Sequence, residues 1–129
     1  MGPGHEMDDT DHVVERVTLV ADWVKQTLPR LSSVSNLKVI SAYGDSMLPT
    51  FNDGDLLLID TGIKQVDIDG VFVLRANGRL YIKRVRQKLE GSFEVSSDNP
   101  LAGTPEPLSG KYKVDVLGRV VWAWNGRKL

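Results

Sequence analysis

Gly70-Val71-Phe72-Val73-Leu74-Arg75-Ala76-Asn77-Gly78-Arg79-Leu80-Tyr81-Ile82-Lys83-Arg84-Val85-Arg86 reads as two β-strands joined by a two-residue turn. Both flanks are rich in β-branched, aromatic and aliphatic residues. Asn77-Gly78 supplies the positive φ values that a tight hairpin turn requires. Simple alternation along the second strand puts Leu80, Ile82 and Arg84 on one face and Tyr81, Lys83 and Val85 on the other. Lys83 thus keeps apolar company, and Arg84 is expected to remain a solvated charge.

Outward from this hairpin the β pattern persists. Strands are predicted at 37–42, 55–60, 70–76, 79–86, 93–96 and 114–124, separated by Asn52-Asp53-Gly54, Thr61-Gly62, Asp69-Gly70, Asn77-Gly78 and Glu90-Gly91. Short, closely spaced strands without intervening helices predict a mainly β fold, with twisted antiparallel sheets forming a half-open barrel. Residues 13–28 carry apolar positions at Val13, Val17, Val20, Val24 and Leu28, which fit a helical face, although Val17-Thr18-Leu19-Val20 is also good strand material. A short strand followed by a short helix is expected there, ended by Pro29. The chain accordingly divides into a polar tail that reads as an expression scar over 1–11, a strand-helix segment and linker over 12–36, and the main β domain over 37–129.

Composition removes several function classes. The 129 residues include no cysteine, which excludes a thiol nucleophile, a disulfide framework and a cysteine-ligated metal. The only two histidines, His5 and His12, lie in the polar N-terminal tract, so a histidine triad or metal site would have to recruit that tail. No cofactor is implied. A formal net charge of −1 supplies no global pull toward DNA or an anionic membrane. No apolar run approaches the roughly 20 residues needed to span a bilayer, and no signal-peptide pattern opens the chain, so a cytoplasmic location is expected. The basic residues Lys83, Arg84, Arg86 and Lys88 divide between two strand faces and read as solvated rather than phosphate-binding.

One pairing carries chemistry. Ser46, in Tyr43-Gly44-Asp45-Ser46-Met47-Leu48-Pro49-Thr50, lies on a turn beyond the first strand. A serine hydroxyl attacks a carbonyl only when a base takes its proton, and a lysine amine can serve when its surroundings disfavour the ammonium form. Lys83 is the candidate base. A Gly-Asp-Ser turn or a strand lysine taken separately is ordinary surface chemistry. Their joint context is far more restrictive, because Met-x-Pro-Thr follows the serine and Ile-Lys-Arg-Val encloses the lysine.

In these motifs the chain resembles the C-terminal peptidase domain of LexA-like and lambdoid phage repressors, a Ser-Lys dyad family that includes the UmuD-like proteins. The likeness runs through Asn52-Asp53-Gly54-Asp55, Ser96-Ser97-Asp98-Asn99-Pro100 and Leu117-Gly118-Arg119-Val120-Val121-Trp122 to the C-terminus. It implies Ser46 as nucleophile, Lys83 as general base, the N–H groups of Asp45 and Ser46 as oxyanion donors, and Met47 packed beside the site. It further implies a homodimer and self-cleavage stimulated by the RecA filament of the DNA-damage response. Operator DNA would be bound only through a helix-turn-helix domain absent from this sequence.

Two features depart from that pattern. Family members cut themselves at an Ala-Gly or Cys-Gly bond N-terminal to the nucleophile, and no such bond precedes Ser46. The one Ala-Gly pair, Ala102-Gly103, lies downstream in the turn-rich stretch 99–107 and reads as a structural loop. Two other readings stand beside self-cleavage. In one, the domain only dimerises, using Val120, Trp122 and Trp124, which share a face by alternation. In the other, the chain is a type I signal peptidase, whose boxes and dyad are similar but which needs a membrane anchor.

Overall fold

The computed structural model describes residues 21–108 and 113–125. Among these described residues seven strands form one antiparallel sheet: β1 (Leu37–Ser41), β2 (Leu56–Asp60), β3 (Gly70–Ala76), β4 (Arg79–Gln87), β5 (Phe93–Ser96), β6 (Glu106–Pro107) and β7 (Asp115–Trp124). Their spatial order is β1-β2-β7-β3-β4-β5-β6, and the sheet is not closed into a barrel. The mainly β architecture is as the sequence predicts. The 17–20 strand, the expression scar and most of the helical pattern's first half lie outside the described residues.

The predicted hairpin forms in the predicted register, with Ala76 opposite Arg79. Asn77 and Gly78 adopt φ values of 52° and 75°, the left-handed pair that such a turn needs. β6 is an addition: two residues, one of them proline, carry no alternation from which a strand could be read.

Alternation along the strands sorts side chains into packed clusters on opposite faces. Leu57, Ile59, Val71, Val73, Leu80 and Ile82 form one cluster. On the reverse face Phe72, Leu74 and Val85 form a second, with Tyr81 against it. A third gathers Leu58 and Val39 beneath the helix α1 (Ala21–Thr27). Val24 and Leu28, one helical turn apart, are the residues that α1 and its C-terminal extension bury there. Each large aliphatic side chain buried this way contributes about 1.5–3 kcal/mol. Pro29 has no N–H to continue the helical ladder, and the chain leaves toward β1.

β7 departs from simple alternation. Against β2, Ile59 faces Val120 while Leu58 faces Trp122, so Val121 is an extra residue. Against β3, Val73 faces Gly118 while Leu74 faces Val116, so Leu117 is another. Each bulge shifts the phase of the strand by one residue. Val120 therefore packs with Ala123 in the first cluster, whereas Trp124 packs beneath α1. Trp23 meets Trp122 edge-on at 5.3 Å and stacks near Trp124 at 6.5 Å. The expectation that Val120, Trp122 and Trp124 share one face is thus corrected by the bulge, and both tryptophans contact the helix of their own chain.

The linker after α1 is pinned by Asp60, which is fully buried at the end of β2. Its carboxylate accepts from Ser32 N at 2.7 Å, Ser32 Oγ at 2.5 Å and Gly62 N at 3.0 Å.

Candidate active site

Ser46 belongs to a loop that leaves β1 and returns to β2, closed at its neck by Ala42 N donating to Asp55 O at 2.7 Å and Gly54 N donating to Ala42 O at 2.9 Å. Gly44, at φ 76°, takes the left-handed conformation that a side chain would resist, and its N–H is held by Asp53 Oδ1 at 2.8 Å. Met47 and Phe51 are 3% and 5% exposed and anchor the loop in the first cluster. Ser46 is itself buried. The Leu48–Pro49 peptide bond is cis.

Lys83 lies on β4 opposite Phe72 of β3, between Tyr81 and Val85 on the same face, as alternation predicts. On its other flank the β4–β5 ladder reaches Arg84 opposite Ser96. Beyond that rung the chain continues as Ser97-Asp98-Asn99, and these three residues bring the site together. Lys83 Nζ donates to Ser97 Oγ at 2.8 Å. Asp98 takes Arg84 in a two-pronged grip, Nε to Oδ1 at 2.6 Å and Nη2 to Oδ2 at 2.8 Å, and also accepts the Thr50 hydroxyl. Asn99 donates its backbone N–H to Ser46 O at 2.9 Å and its side-chain amide to Asp45 O at 3.0 Å.

The two predicted site residues are therefore joined through one three-residue segment. Ser97 holds the lysine, Asn99 holds the backbone on both sides of the Asp45–Ser46 bond, and Asp98 ties the far end of the serine loop to β4. Arg84 is not the free solvated charge that its strand position suggests. Its partner comes from a loop that no local pattern connects to it, although the guanidinium keeps 25% of its side-chain surface in water.

Burial holds the Lys83 amine below its ordinary value, because the ammonium loses hydration; the negative charge of Glu106 opposes this less strongly. Asp98 is held below the ordinary carboxyl value, first by the Arg84 hydrogen bond and then, against the opposing effect of its burial, by Thr50. A cleft of about 500 Å³ opens beside Lys83. Its walls include Tyr81, Lys83, Ser97, Ala102, Gly103 and Glu106, and Ser46 is not among the residues that line it. Sequence reasoning missed Ser97 as a contact of Lys83. The signal was available in the register, since an antiparallel pair of Arg84 with Ser96 places Ser97 opposite Lys83 on the next rung.

The Peptidase S24-like family model matches residues 2–121. The chain belongs to that family. Among the relatives of this S24-like chain is an uncharacterized HTH-type transcriptional regulator of Haemophilus influenzae, 31% identical over 88 residues, 67% of this chain and 36% of the relative. Another is the 26 kDa repressor protein of Escherichia phage HK022, 36% identical over 64 residues, half of this chain and 27% of the relative. The aligned S24-like region thus spans about a third of the length of these relatives. Among the described residues, no helix is long and apolar enough to cross a membrane.

Proposed function

We propose that this chain is the C-terminal regulatory domain of a transcriptional repressor, and that it cuts its own parent polypeptide through Ser46 and Lys83. The observation that carries the reading is the 97–99 segment, which holds the Lys83 amine with one residue and the Ser46 backbone with another. The names of the two relatives support the repressor setting, and the family match favours it over a membrane-anchored signal peptidase. Such a repressor would work in the cytoplasm, as a homodimer, on operator DNA bound by a separate helix-turn-helix domain. The RecA filament is the stimulus proposed from the family resemblance.

In the proposed reaction the neutral Lys83 amine accepts the Ser46 hydroxyl proton as Oγ adds to the carbonyl carbon of a tethered segment. The lysinium then returns that proton to the departing amine, and water, deprotonated by the same lysine, releases the acyl group from Ser46. Tethering supplies the effective concentration of substrate. The N–H groups of Asp45 and Ser46 are the proposed oxyanion donors. Asn99 bears on the second of them, because the planar peptide points the Ser46 N–H opposite to the Asp45 carbonyl that Asn99 grips. Burial of Lys83 fits the base role, since it raises the neutral fraction of the amine at a given pH.

The test is mildly alkaline incubation of the longest native parent, with fragments sized by intact mass. The reading predicts one cut, absent from Ser46→Ala and from Lys83→Ala. An uncut parent, even with activated RecA, would leave a dimerisation module with an idle dyad.

A further inference from the structure

We propose that Ser97 is a positioning residue for Lys83, holding the amine so that its lone pair is available to Ser46. The inference rests on the Ser-Lys reading of the site and adds to it the group that aims the base.

A lysine side chain has four methylenes and correspondingly large rotamer freedom, so burial alone does not say where its nitrogen points. Ser97 Oγ, 2.8 Å from Nζ, removes that freedom. It is placed to do so by two independent features. The first is register: Arg84 faces Ser96, and the next rung sets Ser97 opposite Lys83 on the same face. The second is the pinning of its neighbours, Asp98 by Arg84 and Thr50 and Asn99 by the Asp45 and Ser46 carbonyls. Consecutive side chains of an extended segment diverge, so Asp98 can grip Arg84 on one face while Ser97 reaches Lys83 on the other.

A neutral amine has two N–H donors and one lone pair. Giving one donor to Ser97 constrains the direction of the lone pair. Glu106, which shares the cleft, favours the charged form of the amine, so the contribution of Ser97 lies in direction and not in deprotonation. Ser97 needs to transfer no proton to fulfil this role.

The experiment compares Ser97→Ala and Ser97→Thr in the longest native parent across pH. Ser97→Ala should slow self-cleavage about 10- to 100-fold on the alkaline plateau, where the amine is neutral in any surroundings, and Ser97→Thr should stay within about threefold of wild type. A urea midpoint that stays at the wild-type value separates misdirection from misfolding; a midpoint drop large enough to explain the loss overturns the proposal. Wild-type cleavage that needs Ser46 and Lys83 but survives Ser97→Ala at full rate overturns the Ser97 role alone. If the wild-type parent does not cut, the dyad reading fails, and Ser97 is decided by NMR titration of the Lys83 amine, identified by its loss in Lys83→Met. An acceptor favours the ammonium, so Ser97→Ala should lower that pKa by about half a unit or more, and an unchanged titration overturns the contact.

Discussion

Replacing Asp98 with alanine should remove the ties of the 97–99 segment to Arg84 and Thr50 while leaving the contacts of Ser97 and Asn99 in place. The carboxylate makes two charge-assisted bonds to Arg84, at 2.6 and 2.8 Å, and accepts the Thr50 hydroxyl. Charge-assisted bonds contribute about 1.5–3 kcal/mol each when shielded, but the Arg84 side chain is 25% exposed and solvent screens part of that. Taking the lower figure for the whole ion pair and about 0.5–1 kcal/mol for Thr50 gives a loss of roughly 2–2.5 kcal/mol. Urea unfolding at pH 7 reads this directly, provided that the slope is unchanged. A cycle with Arg84→Met should isolate about 1–2 kcal/mol of coupling, because that variant keeps the Thr50 bond. Acid supplies a second arm. Asp98 is held below its ordinary pKa, so its contribution is complete above about pH 3.8 and disappears as pH falls through the lower folded value. Wild type and Asp98→Ala should converge on acidification. A loss below about 0.5 kcal/mol at pH 7, or a gap that does not narrow in acid, would refute the assignment.

Two further perturbations follow from buried groups. Asp60→Ala leaves Ser32 N, Ser32 Oγ and Gly62 N without their buried acceptor and should cost about 3–4 kcal/mol in urea unfolding, with Asp60→Asn intermediate. Lys83→Met should raise the melting temperature at pH 7 by about 1–3 °C, because burial makes the folded state disfavour the ammonium. Between the lowered folded pKa and 10.5 the unfolded chain binds more protons, so wild-type stability climbs with pH and the advantage of methionine shrinks toward zero above that window. Melting curves at pH 7 and in mild alkali check both the sign and the trend.

What could be read in advance was local. Asn77-Gly78 specifies its turn through backbone conformation, and alternation from that turn correctly places Lys83 between Tyr81 and Val85. Val24 and Leu28 were readable as a helical face for the same reason, a period expressed within one element. Alternation failed in β7, where the bulges at Leu117 and Val121 each shift the phase and nothing in Leu117-Gly118-Arg119-Val120-Val121-Trp122 announces them. Gly118 shows why the strand is constrained there: a Cβ on it would lie 2.7 Å from Ile59 Cγ2 and 2.9 Å from the Asp60 carbonyl. The role of Asp98 was hidden for a different reason, since its partners Arg84 and Thr50 come from other segments of the chain and meet it through tertiary structure alone. Ser97 stands between these cases, invisible to composition but derivable once the β4–β5 register is known.

The most direct measurement is the pH dependence of parent self-cleavage, with Ser46→Ala and Lys83→Ala run beside wild type. A lysine base kept below its ordinary pKa predicts a rate that rises with pH and levels off at a midpoint under 10.5, with both variants flat at background. Cleavage that persists in either variant, or a wild-type rate that is independent of pH across this range, would contradict Ser46 and Lys83 as nucleophile and base.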